Sequence, residues 1–154
     1  MRFSGKTDIE ASADATFSQF ADFQFFERFA LRSGADIRRV DDLMSPGPGM
    51  IWDVNLDYKG KARRMVVELV DFNPPSSMIF AAAANALEAS ILVELVPLSA
   101  RQTRASVTLD ISPRTLPARL AVQSARLTKG VLNRKFSKRL NQFGRALQER
   151  INTA

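Results

Sequence analysis

Few side chains in this sequence are equipped for chemistry, and most of those fall on the wet side of their segments. There is no histidine and no cysteine, which removes the usual general base, the usual proton shuttle and the commonest metal ligand. Ser-His-Asp and Cys-His triads are excluded, and so is a zinc site built on those residues. Six carboxylates, Asp53, Asp57, Glu68, Glu88, Glu94 and Asp110, lie on the polar side of alternating segments. A bulge that moved the register by one residue would turn Asp53 or Glu68 inward. Tyr58 lies on the apolar side, but a phenol titrating near ~10 is a hydrogen-bond donor before it is a base. Trp52 shares that side, and each ring joins an apolar body to a hydrogen-bonding tip. Gly47-Pro48-Gly49 lacks the lysine and the following helix of a phosphate loop. The sequence therefore assigns no catalytic residue, no metal site and no cofactor.

The elements that position these residues are legible from their periods. Residues 2–11 alternate weakly, with Phe3, Gly5, Thr7 and Ile9 on one side, as a strand with one wet face does. Ser12 or Asp14 can cap a helix, and a break near Asp22 divides the phenylalanine-rich stretch 17–29 into two short helices. Ala35–Asp41 reads as a second strand, and the two prolines and two glycines of 45–49 require a loop. Met50, Trp52, Val54, Leu56 and Tyr58 then share one face, and Lys59-Gly60 makes a turn. Met65, Val67 and Leu69 continue the inner face, followed by Met78, Phe80, Ala82 and Ala84. Leu87, Ala89, Ile91, Val93 and Leu95 come next, and Pro97–Gln102 is a turn before Ala105, Val107, Leu109 and Ile111. Short turns imply antiparallel neighbours, and one apolar face per strand implies a sheet covered on one side only.

The cover is the C-terminal quarter. Thr115 caps and Pro117 suits the first turn of a helix running to about residue 151, about 50 Å long at ~1.5 Å per residue. Leu116, Leu120, Leu127 and Val131 make one apolar stripe, and Leu132, Phe136, Leu140, Phe143, Leu147 and Ile151 continue it after a phase shift. Gly130 is the expected kink. Net charge is +6, and the excess is local. Arg114, Arg119, Arg126, Lys129, Arg134, Lys135, Lys138, Arg139, Arg145 and Arg150 face Glu149 alone, leaving 12 bases against 15 acids elsewhere. Such a helix face is either simply solvated or suited to an acidic partner or anionic membrane surface. No aromatic stacking motif accompanies it, so no specific nucleic-acid partner is expected. Val66, Ile79, Ala81, Ala83 and Leu92 fall outward, as scattered surface residues or as a weak homodimer contact.

Small inner residues, Ala82, Ala84, Ala89 and Ala105, leave space beneath the helix. Either the helix approaches closely there or a cavity remains, and Trp52 with Tyr58 suit a cavity, since ligand pockets are mostly apolar with a few placed polar groups. Candidate lining residues are Trp52, Val54, Leu56, Tyr58, Met65, Val67, Phe80, Ala82, Ala89, Ile91 and Val107, with Leu120 and Leu127 closing the space.

The order of these elements, together with three local motifs, resembles the START-like (Bet v 1-like, SRPBCC) helix-grip superfamily. This superfamily includes the pollen-allergen, polyketide cyclase/dehydrase and coenzyme-Q-binding types. The motifs are Thr7-Asp8-Ile9-Glu10-Ala11-Ser12-Ala13-Asp14-Ala15-Thr16-Phe17, Gly49 with Trp52, and Val70-Asp71-Phe72-Asn73-Pro74-Pro75. The resemblance covers essentially the whole chain. It implies an α+β fold, a single domain over 1–154, and a cavity between sheet and helix entered near loop 43–49. Fold alone names no activity. The leading expectation is a carrier of a hydrophobic small molecule or lipid. The alternatives are a polyketide cyclase or dehydratase and an interaction module using the basic helix. The N-terminal residues show no apolar run after their positive charge, so a cytoplasmic protein is the expectation.

Overall fold

Alternating apolar residues at two-residue spacing build a seven-stranded antiparallel sheet in the order β1-β7-β6-β5-β4-β3-β2. A computed structural model describes the backbone of residues 1–58 and 60–154, and the side chains of these except that of Tyr58. The strands are β1 (Arg2–Ile9), β2 (Ala35–Arg39), β3 (Ile51–Tyr58), β4 (Lys61–Asn73), β5 (Ser77–Ala83), β6 (Leu87–Ser99) and β7 (Gln102–Pro113). The expected turn at 59–60 involves Lys59, which lies outside the described residues; Gly60 has φ +73°. β6 runs further than its pattern suggests. It pairs with β7 as far as Ser99 opposite Gln102, with a register shift just after Pro97 that accommodates the missing N–H.

A bulge does interrupt β4, between Leu69 and Asp71, but it follows Glu68 in the strand. Asp53 and Glu68 therefore keep their outward register. Asp53 receives Arg64 at 3.3 Å and Arg38 at 3.8 Å on that face.

Two helices, α1 (Ala13–Phe20) and α2 (Phe23–Arg32), follow β1. Ser12 accepts from the Ala15 N–H at 3.2 Å and Asp22 from the Phe25 N–H at 3.2 Å, each satisfying a donor that the first turn leaves open. The C-terminal rod is α3 (Leu116–Ala125), a 3₁₀ turn (Arg126–Thr128) and α4 (Lys129–Thr153). The interruption thus precedes the expected kink at Gly130. Thr115 caps α3 by accepting from the Ala118 N–H.

α4 packs closely on β1. A Cβ at Gly144 would collide with the Thr7 side chain, and one at Gly5 would stand 3.0 Å from Leu140 Cδ2. Here the small residues serve close packing, and Ala105, Leu147 and Ile9 are wholly buried. A second tie joins α4 to α2. Arg150 meets the Asp22 carboxylate at 2.8 Å and lies 4.4 Å over the Phe25 ring. Burial alone would raise the Asp22 pKa, but Arg150 and the Phe25 N–H outweigh it and hold the carboxyl below its ordinary value.

Candidate functional site

Between the aromatic helix pair, the sheet and α4 the side chains do not close up. A cavity of about 370 Å³ remains, within the range of small-molecule pockets. Its floor is the inner register of the sheet: Trp52 and Val54 of β3, Met65 and Val67 of β4, Met78 and Phe80 of β5, Ile91 and Val93 of β6, and Val107 of β7. Phe20, Phe23, Phe26 and Phe29 come from α1 and α2, Ile37 comes from β2, and Phe136, Arg139, Leu140 and Phe143 come from α4.

The aromatic residues explain why the space persists. Phe23, Trp52 and Phe80 form a triangle with centroids 5.2 to 6.2 Å apart. Phe143 is met by Phe20, Phe25, Phe26 and Phe29 at 5.2 to 6.0 Å. Edge-to-face contacts at such distances are favourable in themselves, so the rings satisfy one another, and Trp52 and Phe80 of the floor, beside the space.

Polar groups are nearly absent. The Trp52 indole N–H donates to Glu27 of α2 at 3.0 Å, so the tip that its residue type offers to a ligand is already taken. Arg139 is the one charged residue of the described lining. It and Phe26 are also the exposed members of that lining, which places the mouth between α2 and α4. This differs from the expected entry at loop 43–49, none of whose residues lines the cavity. That loop is instead held from below. Asp41 accepts from Arg39 at 2.8 and 2.9 Å and from the Leu43 and Ile51 N–H groups at 2.9 Å. The Arg39 guanidinium keeps its carboxyl well below the usual carboxylate range.

Of the residues that the sequence nominates, Trp52, Val54, Met65, Val67, Phe80, Ile91 and Val107 lie together in the lining. Leu56 packs on the core cluster outside the cavity. Ala82 and Ala89 face each other one inner pair beyond Phe80 and Ile91, past the end of the space. The Tyr58 side chain lies outside the described residues. Leu120 and Leu127 do not close the cavity: they stand 59% and 90% exposed. The cause is local. α3 turns its small residues Ala118 and Val122 to the protein, and the 3₁₀ turn resets the helical phase before α4 begins. The roof is therefore Phe136, Leu140 and Phe143, together with the phenylalanines of α1 and α2, which the sequence marks by their density alone.

No family model and no curated protein matches this chain. Solved structures do. The Zhui aromatase/cyclase from Streptomyces sp. R1128 aligns with a TM-score of 0.67 at 13% identity, over 94% of this chain and 93% of that one. A START superfamily protein from Mycobacterium smegmatis aligns at 0.61 and 15% identity, over 92% and 98%. A protein from Thermus thermophilus aligns at 0.71 and 12% identity, over 99% and 98%. At these identities the likeness is one of architecture. Curved antiparallel sheet, paired short helices and terminal rod together give this chain the START-like, Bet v 1-like helix-grip fold.

Proposed function

We propose that the protein binds a small hydrophobic molecule or lipid in the cavity, with Trp52, Val54, Met65, Val67, Phe80, Ile91 and Val107 as its floor. The observation that carries this reading is the cavity itself, about 370 Å³ with an almost wholly apolar lining. Cores of natural proteins close to near-crystalline density and leave few voids larger than a water; at ~30 Å³ per water, this space equals about a dozen. An apolar space of that size holds water poorly and apolar ligands well. The test is organic extraction and mass spectrometry of the purified protein, paired with titration of an environment-sensitive apolar dye. Val107→Trp, which fills the floor, should abolish dye uptake; unchanged uptake would refute the site. A cyclase- or dehydratase-type step needs a general acid or base, and the described lining offers only Arg139.

A second reading concerns the outside of the rod and rests on a separate observation. Leu116, Leu120, Leu127 and Val131 are exposed along α3, the 3₁₀ turn and the start of α4. No acidic residue occurs between Asp110 and Glu149. Arg119, Arg126, Lys129 and Arg134 flank the leucines, and none of them is in an ion pair among the described residues. Apolar residues flanked by cations suit an anionic bilayer surface, where the leucines enter the headgroup boundary. Among the described residues no helix is long and apolar enough to cross a membrane; the contact read here is a surface one. Co-sedimentation with phosphatidylserine vesicles, lost in a Leu120→Ser/Leu127→Ser double variant and absent with phosphatidylcholine alone, tests it.

A further inference from the structure

We propose that the ligand is an anionic amphiphile, its apolar body inside the cavity and its charged head held at the mouth by Arg139. This deepens the binding reading above and rests on it. Two features of the lining carry it. The interior has no polar side chain to offer among the described residues, because the Trp52 N–H is given to Glu27. A polar group of the ligand placed inside would lose its water without replacement, a cost of several hydrogen-bond equivalents. The ligand's polar end therefore sits at the opening, and the opening sets its charge.

The second feature is the position of Arg139. It follows Phe136 by three residues and precedes Phe143 by four, next to Leu140, on the stripe of α4 that faces the cavity. Helical periodicity fills such a position with an apolar residue. Here it carries a guanidinium whose stem covers apolar surface while its head reaches water. No carboxylate among the described residues pairs with it, and its neighbours Lys135 and Lys138 add to the positive potential. A planar cation of this kind recognises carboxylate and phosphate oxygens through two parallel N–H donors. The body of the ligand is bounded by the cavity at roughly a dozen non-hydrogen atoms, if each takes about the share of a water.

Decanoate, decyl phosphate and decanol have the same tail with different heads. Calorimetric titration of each into the wild-type protein, below its micellar concentration, should give Kd values about fivefold tighter for the two anions than for the alcohol. Arg139→Gln should erase that difference. Lys129→Gln, an equal charge loss away from the mouth, should leave the difference intact. Added salt should weaken the anions alone. A preference for decanoate without decyl phosphate would identify the head as a carboxylate, and the reverse would identify a phosphate. Decanol binding as tightly as both anions would overturn the proposal, as would equal weakening by Arg139→Gln and Lys129→Gln; in either case the cavity reading survives. Failure of all three ligands to bind would remove both.

Discussion

The two halves of the C-terminal rod carry similar leucine stripes and meet opposite environments. In the second half, Leu140 and Leu147 are buried against β1 and the helix pair, Gly144 touches Thr7, and Arg150 is tied to Asp22. In the first half, Leu116 is 68% exposed and Leu127 90%, in a stretch that carries cations and has no acidic residue between Asp110 and Glu149. Amphipathic periodicity states that a helix has an apolar face. It does not state what lies against that face. The second half's large apolar residues find their partner within the chain; the first half buries only Ala118 and Val122 and turns its leucines away from the body.

Substitutions of equal chemistry should separate the halves. Leu147→Ala should cost about 2–5 kcal/mol in urea denaturation, as truncation of a fully buried leucine does, whereas Leu127→Ala should stay within about 0.5 kcal/mol of wild type. Similar losses at both positions would show that the first half also packs in solution. Gly144→Val should cost about 1–3 kcal/mol through the collision with Thr7, and Gly130→Val, where a Cβ meets nothing within 4 Å, should be neutral or stabilise by on the order of a few tenths, because valine suits a helix better than glycine. Thermal midpoints of the two variants, measured side by side, check this.

Asp22→Asn should have a smaller effect, about 1 kcal/mol, because the asparagine still caps α2 but gives up Arg150. Its acid dependence has a definite sign. The Asp22 carboxyl titrates below its ordinary value, so its stabilisation is fully present above the unfolded value of ~3.9 and fades as pH falls through the lower folded value. Urea midpoints of wild type and variant should differ at pH 6 and converge toward pH 2.5. A gap that persists at acid pH would assign the effect to packing. The smallest expected change is in stability on replacing Leu120 and Leu127 together by serine, which should move the urea midpoint barely at all.

Much of the fold was readable because each strand repeats its two-residue period and each short helix announces its start. Ser12, Asp22 and Thr115 cap where their types suggest, and the inner register of β3 through β7 follows the alternation. The cavity floor was legible for the same reason. Its roof was harder. The three residues of the 3₁₀ turn change the phase of the rod without any glycine or proline among them, so Leu120 and Leu127 looked inward and face out. Glu27 lies 25 positions before the indole it accepts from, and no local pattern links them. The alanines at 82 and 89 did mark the inner face, but nothing in their spacing says where a hollow ends along it.

The pairing of the first strand has a consequence for biosynthesis. Arg2 aligns with Asp110 and Ile9 with Thr103, and the helix that packs across β1 comes after β7 in the chain. Contacts between such distant segments are the slow ones to form. During synthesis the eight-residue strand β1 therefore stays without a mate until β7 (Gln102–Pro113) has also been made, and shielding of that strand by a chaperone during this interval should raise the yield of native protein.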